Sequence, residues 1–89
     1  MPTVHLTIKG KVQGVFYRAT AKETADKLGL VGWVKNTKEG NVEGLVSGSP
    51  EQVQSFIDWC KKGPARAEVS DVIVTEVEEQ VFKGFKVIR

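Results

Sequence analysis

A glycine-containing loop followed by an arginine is the part of the sequence whose residue types could do chemistry. The segment Gly10-Lys11-Val12-Gln13-Gly14-Val15-Phe16-Tyr17-Arg18 lies between an alternating apolar run and a helical pattern. Glycines let such a loop curl so that consecutive main-chain N–H groups converge, and the N-terminus of the following helix adds positive partial charge. A concave set of amides of this kind binds phosphate. The segment therefore predicts an anion site, although it lacks the Gly-Lys-Ser/Thr ending of a nucleotide-binding P-loop.

Arg18 adds a cation to this segment. It falls in the first turn of the predicted helix, where a positive charge is unfavourable with respect to the helix dipole. A bound anion would offset that cost. The spacing alone is equally compatible with an ordinary strand-to-helix turn that carries an incidental surface arginine, because two glycines four residues apart are a weak signal. That alternative stays open at this point.

Length and composition restrict the classes to which this protein can belong. The 89 residues are enough for one domain, residues 1–89, around a single core. The 13 Lys and Arg exceed the 11 Asp and Glu by only two, which is far from the charge density that indicates duplex nucleic acid. Cys60 is the only cysteine, so no intrachain disulfide can form. No apolar run approaches a membrane span of about 18 residues, and no targeting segment is recognisable. We expect a soluble cytoplasmic monomer with no membrane partner.

The elements that must position the loop follow from hydrophobic periodicity, which has period two in strands and about 3.6 in helices. The second helix has the clearest start, because Ser49 can be its N-cap, Pro50 its first residue and Gln52 the partner in a capping box. The predicted elements are a strand ending near Lys9 or Gly10, a helix with its apolar residues from Tyr17 to Leu28, strands over residues 30 to 37 and 42 to 47, a helix from Pro50 that Gly63 ends, and strands over residues 69 to 77 and 85 to 88.

This order predicts an α+β fold, a ferredoxin-like split βαβ sandwich (β-α-β-β-α-β). We expect a mostly antiparallel sheet of four to five strands with two helices on one face. RNA recognition motifs share this architecture, and Lys83-Gly84-Phe85 begins like their signature. Lys86 and Val87 then depart from it. We therefore expect no nucleic-acid binding.

Two isolated side chains carry little chemical signal. His5 has no second histidine or cysteine with which to build a metal site, so a structural or solvated role is expected. Cys60 lies on the apolar stripe of the second helix without an obvious base, which indicates an inert core thiol. Neither residue suggests a nucleophile.

Over essentially its whole length, the sequence resembles the acylphosphatase family. The segment from Gly10 to Arg18 is similar to the family signature Gly-x-Val-Gln-Gly-Val-x-(Phe/Tyr)-Arg. Gly32-Trp33-Val34-Lys35-Asn36 is similar to a second block, and Gly40-Asn41-Val42-Glu43 to the family hairpin. The resemblance implies hydrolysis of carboxyl phosphate anhydrides to carboxylate and inorganic phosphate, without a metal or cofactor. It also implies an acyl phosphate as the small-molecule substrate and phosphate or sulfate as a competing anion.

The resemblance further implies roles for individual residues. Arg18 would bind the phosphate, and Asn36 would hold the attacking water. The phosphate cradle would be formed by the backbone of Val12, Gln13, Gly14, Val15 and Phe16, with Gly10 and Thr37 as supporting residues. This set suits the reaction, because a carboxylate with a pKa near 4 leaves without a proton donor. Positioning and charge stabilisation then suffice for phosphoryl transfer.

Two other interpretations stay open. A binding or regulatory module could use the same loop to hold an anion without turnover, although Asn36 is not needed for that purpose. An accessory domain of a larger carbamoyl-transfer or hydrogenase-maturation protein is also conceivable, because acylphosphatase-like domains occur there. The complete order of elements favours an independent enzyme.

Overall fold

Alternating apolar and polar residues build the strands, and apolar residues at helical spacing build the two helices. The computed structural model describes residues 1–89. Its elements are β1 (Thr3–Lys11), α1 (Tyr17–Leu28), β2 (Val31–Asn36), β3 (Val42–Ser47), α2 (Pro50–Lys62), β4 (Glu68–Val77) and β5 (Phe85–Ile88). Neither helix is both long and apolar enough to span a bilayer.

The strands form one five-stranded sheet in the order β4-β1-β3-β2-β5. All neighbours are antiparallel except β2 and β5, which are parallel. The predicted ferredoxin-like α+β fold is confirmed, and β5 is the additional strand. Because β1 and β2 each run antiparallel to β3, and β5 runs parallel to β2, the strands β1, β2 and β5 all point in one direction. The residues that follow these three strands therefore lie at the same edge of the sheet.

The end of β1 lies beyond the predicted boundary at Lys9 or Gly10. The strand continues to Lys11 because β4 pairs with it, and the register shifts between Lys9 and Gly10 in a β-bulge. Gly10 has φ of 123°, and a Cβ at this position would collide with the carbonyl oxygen of Glu68. The glycine is thus required by the close approach of β4. Only residues 12–16, from here on the 12–16 loop, connect β1 to α1.

The core lies between the sheet and the two helices. The strand β1 contributes Val4, Leu6 and Ile8, which are almost completely buried. The helix α1 buries Tyr17, Ala21 and Ala25, and α2 buries Val53, Phe56, Ile57 and Cys60. Burial of each large apolar side chain contributes about 1.5–3 kcal/mol to folding. The prediction that Cys60 is a core thiol is confirmed, since its exposed fraction is 0%.

His5 has the structural environment that was expected for an isolated histidine. Its Nε2 lies 2.7 Å from Oε2 of Glu43, and both side chains are half-buried on the sheet. The hydrogen bond from His5 lowers the pKa of Glu43. A lowered carboxyl pKa stabilises the fold above the ordinary glutamate pKa, and this contribution is lost as the pH falls through the lowered value. The pair therefore belongs to the stability of the sheet.

Replacing the N-cap of α2 should lower stability without changing the site described below. Ser49 Oγ accepts from the Gln52 amide at 3.2 Å, and Gln52 Oε1 accepts from the Ser49 amide at 2.8 Å. Loss of this capping box in Ser49→Ala should reduce the free energy of unfolding by about 1 kcal/mol, measured by urea denaturation. Ser55→Ala, at an exposed position in the same helix, should leave it unchanged or slightly higher. Equal losses in both variants would contradict the capping interpretation.

Candidate active site

The 12–16 loop contains two residues with positive φ shortly before α1. Gly14 has φ of 74° and Phe16 has φ of 63°. Phe16 is the only residue other than glycine with positive φ in the chain, and such a conformation costs on the order of 1–3 kcal/mol. Its side chain is 72% exposed, so packing of the ring does not compensate. The unusual backbone instead sets the direction in which the chain enters α1.

The main-chain amides of this region are free to bind a ligand. None of the hydrogen bonds in loops, turns and caps is donated by an amide of residues 12 to 16. The helix α1 also begins without a side-chain cap and without an acidic residue in its first turn. Its first amides are consequently unsatisfied donors at the positive end of the helix dipole. An anion with several oxygen acceptors matches this arrangement.

A cavity of about 290 Å³ opens at this point. The lining residues come from the loop, the first turn of α1, the end of β2 and the segment around β5. They are Val12, Gly14, Phe16, Tyr17, Arg18, Ala19, Asn36, Val87 and Arg89.

Arg18 reaches the cavity from the first turn of α1. Its Nη1 donates to the carbonyl oxygen of Ile88 at 3.3 Å, which uses one of the five N–H donors of the guanidinium and leaves the others for a ligand. Arg89 lines the same cavity, and no aspartate or glutamate does so. The guanidinium of Arg18, with no aspartate or glutamate side chain lining the cavity, makes the cavity electrostatically suited to an anion.

Asn36 enters the cavity from the last position of β2. Its Oδ1 is buried and accepts no hydrogen bond from the chain. An unsatisfied buried acceptor costs about 1–3 kcal/mol, and such groups call for a functional explanation. A carboxamide both donates and accepts hydrogen bonds. Asn36 can therefore orient a water molecule beside the anion site.

The structure brings together most of the residues that the sequence indicated. Of the predicted set, five residues line the cavity, namely Val12, Gly14, Phe16, Arg18 and Asn36. The other four residues do not line it. Gly10 lies in the bulge, Val15 is 5% exposed in the core, the Gln13 side chain bonds to the β2–β3 turn, and Thr37 lies within that turn. For Gln13 and Val15, a role of the main-chain amides in the cradle stays a prediction.

Four of the lining residues were missed by sequence reasoning. Tyr17 and Ala19 flank Arg18 in the first turn of α1, whereas Val87 and Arg89 come from the far end of the chain. The run from 85 to 88 predicted a strand, but nothing in its pattern indicated which strand it joins. Parallel pairing of β5 with β2 places Ile88 opposite Lys35, so the chain continues toward Asn36. Recognition of this pairing is the signal that would have placed Arg89 at the site.

Comparison with known proteins agrees with this geometry. The family model described as Acylphosphatase matches residues 4–87. The chain belongs to the acylphosphatase family. A curated acylphosphatase from Marinobacter nauticus is 45% identical over 83 residues, covering 92% of this chain and 90% of the relative. One from Acaryochloris marina is 48% identical over 82 residues, with coverage of 92% and 88%.

Solved structures show the same relationship. The crystal structure of acylphosphatase from Bacillus subtilis matches with a TM-score of 0.96 and 36% identity, over 100% of both chains. Hydrolysis of acyl phosphates is the function of the acylphosphatase family, and this chain is accordingly a hydrolase that acts on acyl phosphates. Membership of the acylphosphatase family thus favours an enzyme over an anion-binding module without turnover.

A larger protein contains a similar domain. Full-length HypF in its phosphate- and nucleotide-bound form matches with a TM-score of 0.85 and 27% identity, over 99% of this chain and 12% of HypF. The acylphosphatase fold thus occurs both in chains of about this length and as a small part of a longer one.

The buried thiol of Cys60 should take no part in the activity. Burial raises the pKa of Cys60 to about 12, so almost none of the thiol is ionised at pH 8. Iodoacetamide at pH 8 should leave the folded protein unmodified and its hydrolysis of acetyl phosphate unchanged, as followed by mass spectrometry and a colorimetric assay. The same reagent should alkylate Cys60 in 8 M urea. Rapid alkylation of the folded protein with loss of activity would contradict this assignment.

Proposed function

We propose that the protein hydrolyses acyl phosphates at the cavity of Arg18 and Asn36 without a metal ion or cofactor. We further propose that it acts as a single-domain monomer in the cytoplasm, where a free thiol is stable. One observation carries the site assignment. Arg18 and Asn36 line one cavity at the uncapped start of α1, and the carboxamide oxygen of Asn36 is buried there without a hydrogen-bond partner.

The phosphoryl group of the substrate binds at the 12–16 loop. Free amides of the loop and of the first turn of α1 donate to its oxygens, and Arg18 adds charge-assisted hydrogen bonds. Arg89 lines the same cavity. These donors are fixed by the fold before the substrate arrives, so they stabilise the charge that develops in phosphoryl transfer without reorganisation. Inorganic phosphate or sulfate should compete for the same donors.

Asn36 orients the water that attacks phosphorus. A new bond forms between the water oxygen and phosphorus, while the bond between phosphorus and the acyl oxygen breaks. The electron pair of that bond leaves with the carboxylate, which is a weak base and needs no proton. An amide is too weak a base to accept the proton of the water, and no histidine, aspartate or glutamate side chain lines the cavity. The proton therefore passes to an oxygen of the phosphate.

Removal of the Arg18 guanidinium should abolish most of the activity. Arginines that stabilise phosphoryl transfer contribute about 10³ to 10⁵ in rate, which corresponds to about 4–7 kcal/mol of transition-state stabilisation. Arg18→Ala should lower kcat/KM for acetyl and benzoyl phosphate by this factor and raise the Ki of inorganic phosphate. Arg66→Ala removes the same charge at an exposed position that does not line the cavity, and it should retain the parent kinetics. Equal activity of the two variants would refute the role of Arg18.

Replacement of Asn36 should affect turnover more than binding. Loss of one positioned hydrogen-bonding group in an active site typically lowers kcat by about 10² to 10³. Asn36→Ala should show this loss, while the Ki of inorganic phosphate stays within about threefold of the parent value, because the anion donors are intact. Steady-state kinetics with acetyl phosphate separates the two parameters. A parent-like kcat, or a Ki raised in proportion to the lost activity, would exclude Asn36 as the residue that orients water.

A further inference from the structure

The side chain of Gln13 connects two parts of the site that are distant in sequence. Its Nε2 donates to the carbonyl oxygen of Thr37 at 2.9 Å and to that of Asn41 at 2.8 Å. Both N–H donors of the amide are thus used on the turn between β2 and β3. The backbone of Gln13, in contrast, lies in the 12–16 loop. One side chain therefore joins the loop to the turn.

This connection joins two segments that follow strands which are not neighbours in the sheet. β3 lies between β1 and β2, so the strand that leads to the loop and the strand that ends at Asn36 are two strand spacings, or about 10 Å, apart. No main-chain pairing links them directly. Thr37 follows Asn36 in the chain, and a hydrogen bond to its carbonyl acts one peptide away from the carboxamide in the cavity. Gln13 is thus the side chain that fixes Asn36 with respect to the loop.

The turn itself is closed by short-range bonds. The amide of Thr37 donates to the carbonyl of Asn41 at 2.9 Å, and the amide of Asn41 donates to Thr37 Oγ1 at 3.2 Å. These bonds hold the turn together as a unit but do not attach it to the loop. Loss of Gln13 would therefore leave the turn intact while releasing it from the anion cradle.

We propose that Gln13 is a positioning residue that sets the distance between the bound phosphoryl group and the water held by Asn36. This inference rests on the proposed function of Asn36. Displacement of a reacting group by about 1 Å can cost up to 10²-fold in rate. A side chain that acts only through Asn36 should change turnover and leave the binding of phosphate almost unaltered.

The first test is Gln13→Met, which keeps the length of the side chain but cannot donate a hydrogen bond. With acetyl phosphate, kcat should fall about 10- to 100-fold, while the Ki of inorganic phosphate stays within about threefold. Gln54→Ala is the matched control, because it removes an exposed glutamine whose amide bonds only to Asp58 on α2. It should show the parent values. If Gln13→Met does not fold, Gln13→Asn replaces it. Its amide sits on a shorter stem, so the same fall in kcat and the same nearly unchanged Ki are expected.

The second test is a double-mutant cycle that separates positioning from a structural role. In an Asn36→Ala background, Gln13→Met should cost less than threefold in kcat, because the group it positions is gone. A full additional loss in that background would overturn the inference, as would a parent-like kcat of the folded single variant, or equal changes in kcat and Ki. If Asn36→Ala itself keeps the parent kcat, the proposed function fails. If Asn36→Ala loses activity but Gln13→Met keeps the parent kcat, the proposed function stands and this inference alone is wrong.

Discussion

The unsatisfied start of α1 is the feature on which the site depends. The amides of the 12–16 loop donate no hydrogen bond within the chain, α1 has no side-chain cap, and Arg18 puts a full positive charge at the positive end of the helix dipole. Each of these features alone is unfavourable for folding. Together they are complementary to a dianion, which supplies oxygen acceptors and negative charge at once.

The second helix has the stabilising end groups that the first helix lacks. It has a complete capping box, Glu51 in its first turn, and Lys61 and Lys62 in its last turn, all of which stabilise a helix. The start of α1 is held instead by tertiary packing, since the ring of Tyr17 is buried and its hydroxyl donates to the carbonyl of Cys60 at 2.7 Å. An uncapped helix is tolerated where the core fixes its first residue. Helix α2 thus carries the stabilising end groups, whereas α1 carries the proposed anion site.

Short-range sequence signals made α2, the β2–β3 hairpin and the 12–16 loop predictable. The capping box, the turn residues and the glycines act over a few positions, so their meaning can be read from the sequence directly. The features that were not predictable depend on partners far along the chain. β1 extends past Gly10 only because β4 pairs with it, and Arg89 reaches the cavity only because β5 adds to the sheet parallel to β2. The acceptors of the Gln13 side chain, 24 and 28 residues away, have no local signal either.

The strand directions explain why such distant pieces form one site. β1, β2 and β5 run in the same direction, so the loop after β1, Asn36 at the end of β2 and Arg89 after β5 lie at one edge of the sheet. Hydrogen bonding fixes β2 and β5 as neighbours, which sets Asn36 against Arg89. The intervening β3 separates β1 from both, so no main-chain pairing links the proposed phosphate cradle to Asn36, the residue proposed to orient water. In this fold, the side chain of Gln13 supplies that link where the sheet does not.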